Sequence, residues 1–245
     1  MTVADTEHRE LRGVDELKAL AEKGKRELRS GTDNEASADE VAAWAAENFG
    51  DALAVACSMA DAVLPHVVAA KAPGVDVLFL ETGYHFPDTL ATRAIVANEL
   101  DVNIGDVTPE LSVAEQDEQY GKDLFNRDPA LCCQMRKVEP LAGALKGYEA
   151  WVTGVRRQES ALRAKTPLVD FDAKNGLVKL NPLAAWSFDE LIDYATEHDV
   201  PVNPLLADGY PSIGCQPCTR RVAPGEDPRA GRWAGFNKTE CGLHT

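Results

Sequence analysis

Three short apolar runs, at residues 51–58, 75–80 and 102–107, alternate with stretches of helical periodicity. A continuous apolar run bounded by turn residues suits a strand buried on both faces, and helical crossovers between such strands make them parallel. The alternation therefore constrains the chain to an α/β fold with a doubly wound parallel sheet, whose ligands settle outside the carboxyl ends of the strands. Local signals place the helices. Ser37 with Glu40 forms a capping box for a helix ending near Gly50, Pro65 is compatible only with the first turn of a helix, and Pro87 opens a helix to about Leu100. Residues 11–28 predict an amphipathic helix whose stripe of Leu17, Leu20 and Leu28 is interrupted by Gly24. Further on, residues 149–153 read as a strand, residues 168–172 and 176–180 as a hairpin or further sheet, and Ser187 with Glu190 as the cap of a helix to about His198. Residues 108–128 are polar and turn-rich and read as a mobile loop over the site. Pro129 opens a helix carrying Cys132, Cys133, Gln134, Arg136 and Lys137, which Pro140 is expected to interrupt.

Six cysteines carry most of the chemical information. The N-terminus is charged and has no hydrophobic signal segment, and no apolar run approaches the roughly 18 residues of a membrane span, so a cytoplasmic location without a membrane partner is expected. There thiols stay reduced, and metal binding or catalysis outranks a disulfide framework. Cys215 and Cys218 form a CxxC around Gln216 and Pro217, and Cys132 and Cys133 are adjacent. Side chains at i and i+1 of a helix diverge by about 100°, which suits separated metal atoms at a helix end. Four thiolates nevertheless fit either a 4Fe-4S cluster or a four-cysteine zinc site, and residue type leaves both open. Cys241 is left over, on a short tail with Gly242 and His244, where a thiol could visit two partners. Lys238 favours its thiolate, and the neighbouring Glu240 opposes it.

The chain carries 25 basic and 40 acidic residues, a net charge of -15, which argues against a nucleic-acid partner and makes local basic clusters informative. Arg156 and Arg157 follow the strand at 149–153, Arg229 and Arg232 approach the tail, and Lys137 shares nearly one helical face with Cys133. Guanidinium forks suit phosphate and sulfate oxygens. Ser58, after the first strand, and Thr82 with Gly83, after the second, sit where a doubly wound sheet recognises phosphate and ribose. Neither GxxxxGK[ST] nor GxGxxG is present. Tyr84, His85 and Phe86 read as helix-entry packing.

Taken together, several segments resemble the adenylylsulfate reductase branch of the phosphoadenylylsulfate/adenylylsulfate reductase family. They are GluThrGlyTyrHisPhePro at 81–87, CysCysGlnMetArgLys at 132–137, ThrGlyValArgArgGlnGluSer at 153–160, GlyCysGlnProCysThrArg at 214–220, GlyArgTrp at 231–233 and GluCysGlyLeuHis at 240–244. The likeness covers about residues 38–245. It implies an adenine-nucleotide α-hydrolase-like fold with an irregular catalytic C-terminal tail. The acidic first stretch, residues 1–36, is expected to form a helical or partly disordered lead-in, residues 37–213 a nucleotide-binding α/β domain, and residues 214–245 a cluster-ligand turn and catalytic tail belonging to the same domain. By resemblance Cys241 is the catalytic nucleophile, and Cys132, Cys133, Cys215 and Cys218 are ligands of a 4Fe-4S cluster. Lys137 stands between cluster and substrate, and Ser58, Thr82, Arg157, Arg229 and Arg232 are expected to contact substrate. Two departures stand out: CysSerMetAlaAsp at 57–61 replaces a SerGlyGly loop, which argues against ATP cleavage, and Glu81 stands where relatives often carry aspartate.

The implied activity is thioredoxin-dependent reduction of adenosine 5'-phosphosulfate to sulfite and AMP through a cysteine S-sulfonate, in sulfate assimilation and cysteine biosynthesis. Three rivals remain: phosphoadenylylsulfate reduction, an ATP-using nucleotidyltransferase or thiolation enzyme with a cluster, and a zinc-stabilised nucleotide-binding or interaction module in which Cys241 is idle. The residues carry no signal for oligomeric state.

Overall fold

The computed structural model describes residues 10–243. Of the expected lead-in, residues 1–9 lie outside the described residues, as does His244 of the tail. The apolar runs form β1 (Leu53–Ala56), β2 (Val75–Leu80) and β3 (Val102–Val107). Between them stand α3 (Val63–Ala69) and α4 (Pro87–Glu99). Pro65 is the third residue of α3, within the first turn, where its missing N–H removes no intrahelical bond. Before β1 come α1 (Val14–Glu27) and α2 (Ala38–Phe49). The Ser37 hydroxyl accepts from Glu40 N–H and the Glu40 carboxylate accepts from Ser37 N–H, as the capping box predicts.

Residues 108–128 are not one loop. They contain α5 (Val113–Tyr120), capped by Ser112 and Glu115, and α6 (Leu124–Arg127). The Ser-x-x-Glu signal at 112–115 is present in the sequence; the polarity of the stretch masks it because α5 buries little beyond Gln116. Nor does Pro140 stop the cysteine helix. The backbone runs from α7 (Pro129–Cys133) through a π turn (Gln134–Val138) into α8 (Glu139–Ala144). In the π turn Glu139 N–H reaches back to Gln134 C=O. The wider turn accommodates a proline ring that would collide with the carbonyl four residues back in a regular α-helix.

The remaining strands are β4 (Ala150–Thr153), β5 (Val169–Asp172) and β6 (Leu177–Leu180), followed by α9 (Phe188–Glu197). The six strands stand in the order β3-β2-β1-β4-β6-β5. All neighbours are parallel except β5 and β6, a hairpin whose inner strand also pairs with β4. The order reverses between β1 and β4, so the loops leaving these two strands diverge and open a crevice at their carboxyl ends. Beneath it lies an apolar core that includes Phe79, Val152 and Trp151. α1 closes the hairpin end, with Leu17 and Ala21 in the same core.

Candidate functional site

The crevice between β1 and β4 is a cavity of about 230 Å³. Its floor comes from the strand ends: Cys57, Ser58 and Asp61 after β1, Thr82 and His85 after β2, and Arg156 after β4. Its roof comes from the last third of the chain, including Cys215, Arg229, Arg232 and Cys241. Lys137 enters from the cysteine helix. A chain of net negative charge thus concentrates cations at one concave point.

Several of these cations carry unmet hydrogen-bonding capacity. Arg156 Nη1, Arg229 Nε and Arg232 Nε are buried without a hydrogen-bond partner among the described residues. Other nitrogens of the last two are fixed: Arg232 Nη1 donates to Ser212 Oγ at 3.1 Å and to Ile213 C=O at 3.2 Å, and Arg229 Nη2 donates to Thr239 C=O at 2.8 Å. Guanidinium groups held this way are pre-organised donors for oxyanions.

Two thiols line the cavity besides that of Cys215. Burial, with the Asp61 carboxylate adding, pushes the Cys57 thiol up to about 12, so it stays protonated and inert at neutral pH. Cys241 lines the same crevice as Lys137. Burial works against the Lys137 ammonium, yet the charge of neighbouring cysteines, Cys215 foremost, holds its pKa above the ordinary value.

Lys137 and Cys215 also line a second, much smaller cavity, together with Cys132, Cys133 and Cys218. All four cysteines predicted as ligands therefore meet at one place, and Lys137 forms the wall between them and the larger crevice. Thr82 Oγ1 lies 3.3 Å from Cys215 Sγ and ties the β2 loop to the CxxC turn. Burial raises the Cys132 thiol to about 12, with the charges of Cys133, Cys215 and Cys218 adding to the rise. Burial would also raise Cys215, but Lys137, Thr82 and Arg232 bring it below the ordinary value. Among the described residues no group of three or more His, Cys, Asp or Glu side chains is placed to hold a metal ion. The four cysteine sulfurs around this cavity, with no carboxylate among the residues that line it, are a donor set of the type that iron–sulfur clusters use.

The structure brings Ser58, Thr82, Lys137, Arg229, Arg232 and Cys241 to the crevice, but not Arg157. The Arg157 guanidinium makes two hydrogen bonds to Glu35, at 2.6 and 2.8 Å, and one to Thr166 C=O. Arg156 takes the expected place because it is still extended, with φ -118° and ψ 141°, and adjacent side chains of an extended chain point to opposite sides. Sequence reading missed Arg163, which lines the crevice and pairs with Glu159 and Glu240. It lies in a turn-rich stretch with no periodicity to orient it. Also missed was Arg136, which is buried and donates to Thr82 C=O, Leu111 C=O and Gln116 Oε1. Tyr84, His85 and Phe86 pack as expected, against Phe125, Phe79 and Tyr210 respectively, although His85 also reaches the crevice. Glu81 makes a loop contact, accepting from Gly83 N–H at 2.7 Å.

Residues 51–221 match the model of the phosphoadenosine phosphosulfate reductase domain. The chain is 57% identical over 235 residues to the adenosine 5'-phosphosulfate reductase of Streptomyces coelicolor, covering 96% of this chain and 98% of that one. It is 55% identical to the enzyme of that name from Mycolicibacterium smegmatis, covering 94% and 95%. Among solved structures it is similar to a phosphoadenylyl-sulfate reductase from Candida auris in a phosphate complex, with TM-score 0.65, 30% identity, and coverage of 80% of this chain and 94% of that one. A Candida glabrata FMN adenylyltransferase, at 10% identity and TM-score 0.53 with coverage of 89% and 80%, shares the fold alone. The fold is the adenine-nucleotide α-hydrolase-like α/β fold that the motifs imply.

Proposed function

The chain belongs to the phosphoadenosine phosphosulfate reductase family, and on that premise we propose that it reduces adenosine 5'-phosphosulfate to sulfite and AMP in assimilatory sulfate reduction. The observation that carries this reading is the position of Cys241, in the same crevice as Lys137, Arg156, Arg163, Arg229 and Arg232. High identity to two enzymes named for adenosine 5'-phosphosulfate, against 30% to one named for phosphoadenylyl-sulfate, supports the choice of nucleotide.

Cys241 thiolate attacks the sulfonyl sulfur of the bound anhydride. An S–S bond forms as the S–O bond to phosphate breaks, and AMP departs with the electron pair on its phosphate oxygen. Lys137 and the crevice arginines reduce the repulsion between thiolate and anionic substrate and stabilise charge developing on the leaving phosphate. Ser58 and Thr82, at the ends of β1 and β2, are placed for phosphate and ribose contacts. A dithiol reductant of the thioredoxin type then attacks Cys241 Sγ, and sulfite leaves with the bonding pair. The second thiol of the reductant resolves the mixed disulfide, so the dithiol is oxidised and Cys241 is restored. Cys132, Cys133, Cys215 and Cys218 would hold a 4Fe-4S cluster, which when bound supplies a compact charged centre beside Lys137 that tunes the field on the substrate side. Six free cysteines and the need for a reduced dithiol fit a cytoplasmic setting.

Anaerobic incubation with adenosine 5'-phosphosulfate, without thiol, is expected to add one sulfonate mass to the wild type and none to Cys241→Ser. An unchanged adduct in the variant would overturn the assignment. Iron and labile-sulfide analysis of the purified protein tests the cluster, and a colourless protein with one zinc would reject it. The kcat/KM ratio for the two activated sulfates decides between the nucleotides.

A further inference from the structure

The residue before Cys241 is the glutamate Glu240. Its surroundings supply a reason for its presence. The Glu240 carboxylate accepts from Arg163 Nε at 2.8 Å and from Arg163 Nη2 at 2.6 Å, a fork-on-fork pair. It also meets Arg229 Nη2 at 3.3 Å. The side chains of Arg163, Glu240 and Arg229 are only 13%, 10% and 11% exposed. Arg163 in turn donates to Glu159 at 2.6 Å, and Glu159 accepts from the backbone N–H of Arg156. Alternating charges thus run from the β4 loop to the tail, and only Glu240 belongs to the tail.

Ordering an irregular segment is opposed by conformational entropy, so the tail needs anchors. Beyond Cys241 there are two among the described residues: Lys174 Nζ donates to Gly242 C=O at 2.9 Å on the surface, and Leu243 packs against the core. Before Cys241, Thr239 C=O accepts from Arg229 Nη2 at 2.8 Å, and the Glu240 side chain adds a partly buried, bidentate ion pair neutralised by two guanidinium groups, a stronger and more directional hold than one exposed hydrogen bond.

We propose that Glu240 is a positioning residue: by clamping Arg163 and Arg229 from the tail it seats Cys241 in the crevice. The inference rests on Cys241 being the nucleophile. In Glu240→Gln the single-turnover rate of Cys241 S-sulfonation with adenosine 5'-phosphosulfate is expected to fall on the order of 10- to 100-fold, the cost of a nucleophile displaced by an ångström. The Kd for AMP is expected to stay within about threefold. Alkylation of Cys241 by iodoacetamide, followed by peptide mass mapping on nucleotide-free protein, is expected to speed up several-fold as the tail is released. Glu240→Asp, which keeps the charge on a shorter stem, should recover part of both rates. Wild-type rates of sulfonation and alkylation in Glu240→Gln would overturn the proposal. So would a loss of AMP affinity equal to the loss of rate, since Glu240 would then serve the substrate-binding arginines alone. If the wild type itself formed no adduct, the proposed reaction would fail, while the alkylation arm would still decide whether Glu240 docks the tail.

Discussion

Lys137 shows how much one side chain can join. It lines both the crevice and the four-cysteine cavity, and no other cation among the described residues does so. The sequence places it on the face of Cys133, but the direction toward a second, arginine-lined crevice comes only with the fold. Gly214 is a second case. The motif suggests a compact turn, yet in the structure this glycine also makes room for a neighbour, since a Cβ here would overlap the guanidinium of Arg232. Gly214→Ala is therefore expected to push Arg232 from Ser212 and Ile213 without straining the backbone. Steady-state kinetics should show kcat/KM reduced about 10- to 100-fold, the worth of one charge-assisted hydrogen bond, at an unchanged melting temperature. The neighbours Arg156 and Arg157 carry the same lesson, because their residue type is identical and only the parity of an extended chain decides which one lines the crevice.

Among the elements, the cysteine helix departs most from its sequence pattern. The break expected at Pro140 is absorbed one turn earlier, as a π turn between Cys133 and Glu139 that contains Lys137. Such turns widen the helix locally and commonly sit at functional sites. α1 departs in another way. The glycine that breaks its apolar stripe is buried, and a Cβ there would come within 2.9 Å of the far ring of Trp44. Alanine would gain up to about 1 kcal/mol of helix propensity at this position, against an overpacking cost of about 1–3 kcal/mol. Packing wins, because Trp44 is itself fixed by its Nε1–H bond to Glu27 at 2.7 Å. Gly24→Ala should lower the melting temperature, and in a Trp44→Phe background, which lacks the atoms it strikes, the loss should shrink.

At the scale of the whole molecule, the ion pair between Glu35 and Arg157 joins the segment before α2 to the loop after β4, and its dependence on pH can be worked out. The Arg157 hydrogen bonds outweigh burial and hold the Glu35 carboxyl below its ordinary value of 4.5. A depressed carboxyl contributes stability that is complete above its unfolded value and is lost as pH falls through the folded one. Thermal unfolding of the wild type should therefore steepen in its acid arm below about pH 4.5, and Glu35→Gln should flatten that arm. At pH 7 the variant should be less stable by about 1–3 kcal/mol, between a surface pair and a buried one. Apolar runs, capping boxes and the two cysteine doublets were enough to dictate an α/β fold with a thiol-rich site, because strand burial, helix capping and thiolate chemistry are local properties of short segments. Only the tertiary structure decided that Arg156 rather than Arg157 faces the crevice, that Arg163 and Arg136 belong to the site, and that the tail is pinned through Glu240. Those outcomes depend on where distant segments cross the switch between β1 and β4, which no short window of residues encodes.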